Sequence, residues 1–140
     1  QAANDPQALA QAHNIMGILA NGRGEADLAC QHLEQSLTLA EKLENPSVKI
    51  AALNNLSLAK RTAGQMDQAL QLAEQALVLC LEVGDRHREA ALHNNLADLY
   101  HATDQSGKAM AHLKKAVTIY ADIGGDGSQW QPEIWKLTEW

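Results

Sequence analysis

The asparagines are the residues whose type and spacing point most directly to chemistry. Asn14, Asn54 and Asn94 lie forty residues apart, and Asn55 and Asn95 directly follow two of them. A carboxamide has two N–H donors and an acceptor oxygen, so it can pair with both the N–H and the C=O of an extended peptide backbone. Asparagine is also a mediocre helix former that prefers caps and turns. Its recurrence inside helical segments therefore indicates either a polar binding surface or contact with water.

The histidines show no spacing that is typical of a metal site. None of the six is followed at the fourth residue by a second His or by Cys, as a zinc-binding helix requires. Two registers recur: His13 aligns with His93, and His32 aligns with His112. We expect these side chains to be ordinary surface or half-buried imidazoles, with no metal bound.

Catalytic and cofactor-binding motifs are not found in the sequence. There is no Gly-rich phosphate loop and no nucleophile elbow, and we interpret Gly22-Arg23-Gly24 as a turn between helices. Cys30 and Cys80 lie in apolar helical stretches without CxxC spacing, so we expect two buried, reduced thiols in a cytoplasmic setting. The sequence therefore predicts a chain that is not an enzyme and has no cofactor.

Charge and hydropathy exclude two classes of partner. The formal net charge is −6, and the basic residues occur only in short clusters such as Lys60-Arg61 and Lys114-Lys115. A nucleic-acid surface needs more extensive clusters of Lys and Arg. No apolar run approaches the roughly 20 residues that span a bilayer. We therefore expect neither nucleic acid nor a membrane as partner.

The chain repeats itself every forty residues without a gap. Residues 12–40, 52–80 and 92–120 align, and so do the breaks at Asp5-Pro6, Asn45-Pro46 and Asp85-Arg86. Small residues recur at two registers, Gly17, Ser57 and Ala97 in one and Ala29, Ala69 and Ala109 in the other. We expect these two sets to face each other and to let paired helices approach closely. A helical pair cannot bury its own apolar face, so the three units must stack.

Each unit is predicted to form two helices. Asp5, Asn45 and Asp85 are good N-cap residues, and Pro6 and Pro46 suit the first helical position, whose N–H has no partner within the helix. Apolar residues then recur at the spacing of one buried helical face. In the third unit the predicted buried stripe is Leu92, Leu96, Leu99 and Tyr100. The predicted class is all-α.

In these small residues and alanines the chain resembles the tetratricopeptide repeat family, over residues from about 6 to 123. Its unit of 40 residues exceeds the common length of about 34. It is similar to the variant of kinesin light chains, LGN-type adaptors and bacterial multidomain signalling regulators. The resemblance implies a right-handed α-solenoid of three helical hairpins plus a C-terminal capping helix. The predicted segments are repeats 6–44, 46–84 and 86–123, a linker 124–131 and a capping helix 132–140.

The resemblance also implies a concave groove lined by the first helix of each repeat. In kinesin light chain and LGN-like repeats, asparagines at the places of Asn55 and Asn95 pair with a peptide backbone, whereas the first repeat has Ile15 there. Arg61 and His101 would meet acidic side chains, and Asp98 a basic one. The alternative is an open, solvated face with Asn-to-Asn bonds between neighbouring helices. The candidate peptide-binding residues are Asn14, Asn54, Asn55, Arg61, Asn94, Asn95, Asp98 and His101.

The sequence thus predicts a protein–protein interaction module that binds a protein or peptide ligand. The alternative function is a regulatory, sensor or structural arm of a larger signal-transduction ATPase or transcriptional regulator, which would bind its own chain or a small effector. Self-association through exposed repeat ends or through Trp130, Trp135 and Trp140 is a third hypothesis. Gln1 to Asn4 stand where a preceding second helix would end, so we expect either a fragment of a longer array or a full chain with an open N-terminal face.

Overall fold

The computed structural model describes residues 5–124, and this part of the chain contains six α-helices and no strand. The helices are α1 (Pro6–Gly22), α2 (Ala26–Leu43), α3 (Pro46–Thr62), α4 (Met66–Val83), α5 (Arg86–Ala102) and α6 (Ser106–Gly124). The predicted all-α class is confirmed. The predicted capping helix, the linker beyond Gly124 and the three tryptophans lie outside the described residues.

Internal contacts divide the chain into two compact units, one ending at Leu79 and the other beginning at Cys80. The first unit holds α1, α2, α3 and most of α4. In this unit α2 packs against α1, and α3 packs against both of them. The second unit holds the end of α4 together with α5 and α6, which pack against each other.

The first helix of each repeat begins where the sequence predicts. Asp5 Oδ1 accepts hydrogen bonds from the backbone N–H groups of Gln7 and Ala8, at 3.0 and 3.3 Å. Asn45 Oδ1 accepts one from Val48 at 3.2 Å, and Asp85 Oδ1 accepts one from Arg88 at 3.1 Å. These bonds satisfy N–H groups that have no partner within the helix. The predicted N-caps are confirmed.

Removing the Asn45 cap should have a measurable cost. Asn45→Ala is expected to lower the free energy of unfolding by about 1 kcal/mol, because the Val48 N–H loses its acceptor. Asn45→Asp keeps a cap oxygen, as Asp5 and Asp85 do at the equivalent positions, and should stay close to the parent. Urea denaturation of the three proteins measures the difference. Equal stability of the Ala and Asp variants would contradict the role of this cap.

The turns between paired helices share one backbone conformation. Gly24 and Gly64 have φ of +80° and +81°, and Asp104 takes the same place in the third turn with φ of 61°. This left-handed region is open to glycine and is visited by Asp more readily than by most residues. A backbone N–H in each turn reaches the carbonyl five residues earlier, as in Gln105 to Tyr100 at 2.8 Å. This bond closes the end of the first helix.

Small residues bring the paired helices of the first unit together. The buried Ser57 Oγ donates to the Ala69 carbonyl oxygen at 2.7 Å, which confirms the predicted contact between their two registers. At Gly17 the helices also approach closely, since a Cβ placed on Gly17 would lie 2.4 Å from Leu33 Cγ on α2.

The apolar stripe predicted for the third repeat is confirmed. Leu92, Leu96 and Leu99 are fully buried and Tyr100 nearly so. Across from them on α6, Leu113 is also fully buried. The core of the second unit is thus built from the faces of α5 and α6 that the spacing of apolar residues identifies.

Candidate peptide-binding surface

The clearest polar contact of the candidate site joins Asn14 and Asn55. Asn55 Nδ2 on α3 donates to Asn14 Oδ1 on α1 at 2.9 Å, and both side chains are half-buried. Within residues 5–124 neither amide makes a second side-chain hydrogen bond, so Asn14 Nδ2 and Asn55 Oδ1 remain available to a ligand. The bond is an Asn-to-Asn link between neighbouring helices, which was the alternative interpretation of the sequence.

Exposed isoleucines of α1 lie on the same helical flank as this pair. Ile15 and Ile18 are 57% and 47% exposed, which is unusual for such large apolar side chains. We call Asn14, Ile15, Ile18 and Asn55 the amide surface. It combines the unused NH₂ group of Asn14 and the unused oxygen of Asn55 with exposed apolar area.

The other candidate residues of α3 lie on a second side of that helix. Asn54 and Arg61 are both half-buried. They are seven residues apart, and two helical turns bring them to nearly the same angle. The structure therefore places Asn54 and Arg61 together in one row and Asn55 in another.

The candidate residues of α5 differ strongly in exposure. Asn94 and Asp98 are half-buried and His101 is exposed. Asn95 is only 5% exposed, so the prediction that it lies on the open wall of a groove is wrong. The physical reason is its register, because Asn95 follows Leu92 by three residues and precedes Leu99 by four. These spacings put all three side chains on one face of the helix.

Sequence reasoning left Asn21 out of the site. Asn21 is half-buried, and its Oδ1 atom is buried without a hydrogen-bond partner among residues 5–124. A buried amide oxygen without a partner is costly. Asn21 aligns with Arg61 and His101, so a polar residue stands at this register in all three repeats. That recurrence was the available signal.

The two cysteines of the described residues are buried free thiols. Burial raises the pKa of the Cys80 thiol to about 11 and also raises that of Cys30, so both stay protonated at neutral pH. A protonated thiol is a poor nucleophile and a poor metal ligand. No group of three or more metal-ligating side chains occurs within residues 5–124. The arrangement is suited to hydrogen bonding and apolar contact.

These features define an all-α helical-repeat protein with polar side chains along its first helices. A family model for the tetratricopeptide repeat matches residues 8–80 and residues 48–122, which together cover most of the chain. The chain belongs to the tetratricopeptide repeat family. Such repeats in general mediate protein–protein interaction and are non-catalytic scaffolds. A comparison with curated proteins gives no significant match.

Solved structures with a similar fold include two that contain tetratricopeptide repeats and BtubC. The nearly identical TPR-like repeats assigned to a kinesin light chain of Podosopora anserina are 21% identical, with a TM-score of 0.83 over 97% of this chain and 66% of that one. BtubC (BKLC) from P. vanneervenii is 20% identical, with a TM-score of 0.78 over 85% of this chain. The TPR domain of Arabidopsis FLU is 18% identical, with a TM-score of 0.73 over 87% of this chain and all of that one.

At these identities the likeness concerns the fold. The chain spans about half the length of BtubC, 48%, and about two thirds of the kinesin light chain-type repeats. Within residues 5–124 no helix combines the length and apolarity that crossing a membrane requires.

Proposed function

We propose that this chain is a non-catalytic protein–protein interaction module that binds an extended peptide segment at the amide surface. The observation that carries the proposal is the Asn14–Asn55 pair, in which one hydrogen bond fixes both amides and leaves the Asn14 NH₂ group and the Asn55 oxygen unused. An extended peptide presents N–H and C=O groups that match this pair. Because the two amides are already fixed to each other, binding costs little further side-chain entropy.

Side-chain preference is proposed to come from the neighbours of the pair. Ile15 and Ile18 would cover an apolar side chain of the ligand, and the area they expose to water supplies the driving force. On α3 Arg61 would favour an acidic side chain, with Asn54 beside it. In the second unit Asn94, Asp98 and His101 remain proposed contacts. We leave out Asn95 because it is buried. The two unreactive thiols support a reducing, cytoplasmic site of action.

A peptide-display selection tests this function. We expect the purified chain to enrich peptides with a common motif from a random library. The variant Asn14→Ala/Asn55→Ala should lose that enrichment, because it removes both amides of the surface. The matched control is Gln31→Ala/Gln71→Ala, which deletes two exposed amides from the second helices at equivalent positions. This control should enrich the same peptides as the parent.

The alternatives give different results in the same experiment. Enrichment that persists in the Asn14→Ala/Asn55→Ala variant would contradict the amide surface as the site. Failure of the parent protein to enrich any peptide would contradict the peptide-binding function. That result would favour the alternative function, a regulatory or sensor arm of a larger protein. The next measurement would then be binding of this domain to the other domains of that larger protein. Thermal melts of all three proteins show whether loss of enrichment reflects loss of folding.

A further inference from the structure

Two pairs of histidines face each other within the hairpins. In the first unit His13 Nδ1 on α1 lies 3.0 Å from His32 Nδ1 on α2. In the second unit His93 Nδ1 on α5 lies 2.9 Å from His112 Nδ1 on α6. The ring centroids are 5.3 and 5.2 Å apart, and the ring planes are inclined by 31° and 32°. The prediction of four ordinary, separate imidazoles is therefore incomplete, because the same paired geometry occurs twice.

The middle repeat shows what this position needs for packing alone. The residues that align with the histidine pairs are Leu53 and Leu72. Leu53 is buried and Leu72 is half-buried against the core of the first unit. The middle repeat thus has leucines at both aligned positions. The histidines of the first and third repeats add a chemistry that packing does not require.

The geometry of each pair is that of a shared proton. Each centroid separation is close to the Nδ1–Nδ1 distance plus two ring radii, so the two nitrogen atoms point at each other. Two ligands of one metal ion would instead point at a common third position. A neutral imidazole has one N–H and one lone pair, so one proton between the two Nδ1 atoms satisfies both.

Glu89 assigns the direction of the hydrogen bond in the second unit. Its Oε2 atom lies 3.5 Å from His93 Nε2, four residues along the same helix. This contact favours the tautomer of His93 with a proton on Nε2, which leaves Nδ1 as an acceptor. His112 then donates its Nδ1–H to His93.

We propose that each histidine pair is a proton-operated latch, closed while the two Nδ1 atoms share one proton and opened when both imidazoles become charged. A second added proton would place two N–H groups and two positive charges face to face at about 3 Å, which is strongly unfavourable outside bulk water. The helices of the hairpin must then separate or the rings must turn away. The latch would therefore couple the packing of the first and third hairpins to pH.

The charged neighbours of His93 in the second pair act in opposite directions. At the second pair Glu89 of α5 favours a positive charge on His93, and Lys115 of α6 disfavours it. Tyr100 stacks on His112, and Lys108 Nζ lies over the Tyr100 ring. Burial is the main cause that lowers the pKa of His93, and Lys115 lowers it further against Glu89. At the first pair Glu34 of α2 lines the same groove as His13.

The sign of the pH effect follows from these contacts. In the unfolded chain each histidine takes up a proton near its ordinary pKa of about 6.5. In the folded second unit burial lowers the pKa of His93, so the unfolded state binds more protons at low pH. The free energy of unfolding therefore falls as the pH falls through about 6.5 and below.

Thermal melts across this range test the latch. We expect the melting temperature of the parent to fall by at least about 3 °C between about pH 7 and about pH 5. The variant H13L/H32L/H93L/H112L, which copies the leucines of the middle repeat, should lose most of that fall. Each two-site variant, H13L/H32L or H93L/H112L, should lose part of it. The control is His87→Gln, which removes an exposed histidine and should behave like the parent.

An equal fall in the parent and in the four-site variant would overturn the proposal. A second measurement on the parent alone keeps the test independent of how the variant folds. In ¹⁵N NMR of the imidazoles at about pH 7, a scalar coupling between the two Nδ1 atoms of each pair is expected across the hydrogen bond. Four histidines that titrate independently, without such coupling, would also overturn it.

Discussion

Replacing Leu33 by alanine is expected to lower the free energy of unfolding by about 2–5 kcal/mol. Leu33 is 0% exposed and belongs to a hydrophobic core cluster of the first unit. The buried residues that share its cluster are Ala20, Ala29, Cys30, Leu56 and Ala59. Four of these five have short side chains that cannot extend into the vacated space. The cavity therefore stays largely open, which places the cost toward the upper part of that range.

Gly17 provides a matched test of this mechanism. Because a Cβ on Gly17 would lie 2.4 Å from Leu33 Cγ, Gly17→Ala in the parent should destabilise by about 1–3 kcal/mol despite the better helix propensity of alanine. In the Leu33→Ala background the same methyl group would enter the cavity. Gly17→Ala should then stabilise, and the two changes should be strongly non-additive.

Urea denaturation of the four proteins in this cycle measures the coupling. Leu28→Ala is the control, because Leu28 lies on the same helix with an exposed side chain and should cost far less. A Gly17→Ala effect of the same sign and size in both backgrounds would show that the close approach of α1 and α2 at Leu33 is not what sets the stability.

The sequence predicts the helices well because their limits are set locally. Asp5, Asn45 and Asp85 cap a neighbouring N–H group, and the turns need a left-handed residue at the place of Gly24. Each rule acts over three to five residues, so it can be read along the chain. The forty-residue period then places the same caps and turns in each repeat. The third turn follows the rule as well, although its left-handed residue is Asp104 and not glycine.

The candidate site was harder to predict because it depends on contacts between distant segments. The repeat aligns Asn55 with Ile15, but the hydrogen-bond partner of Asn55 is Asn14, forty-one residues away and one position out of register. Asn95 was assigned to an open wall although its spacing from Leu92 also fits the buried face. A helical wheel gives an angle, and only the packing of neighbouring helices decides which angles remain open.

The histidine pairs were present in the sequence as a pattern with no physical interpretation. His13 shares a register with His93, and His32 shares one with His112. Within one hairpin these two positions replace Leu53 and Leu72 of the middle repeat. Isolated buried polar groups are costly. When one repeat has two histidines where another has two leucines on paired helices, the exchange therefore indicates that the two histidines are hydrogen-bonded to each other.

Enlarging Ala69 to leucine should destabilise the chain by about 1–3 kcal/mol through overpacking. Ala69 is 0% exposed, and its carbonyl oxygen accepts the hydrogen bond from Ser57 Oγ at 2.7 Å. That short bond requires α4 to approach α3 closely, and three added carbon atoms at Ala69 would force the two helices apart. Loss of the hydrogen bond would leave a buried hydroxyl without its acceptor, which adds to the cost.

The measurement is again the midpoint of thermal or urea unfolding, with Gln68→Leu as the control. Gln68 precedes Ala69 on α4 and is exposed, so the same leucine there adds apolar surface without entering the contact. We expect the control to change stability by less than about 0.5 kcal/mol. If Ala69→Leu matched the control, the small residues of α3 and α4 would not be what sets the helix separation, and the prediction drawn from their recurrence would be wrong. A loss confined to Ala69→Leu would show that this register of small residues controls the separation of the paired helices.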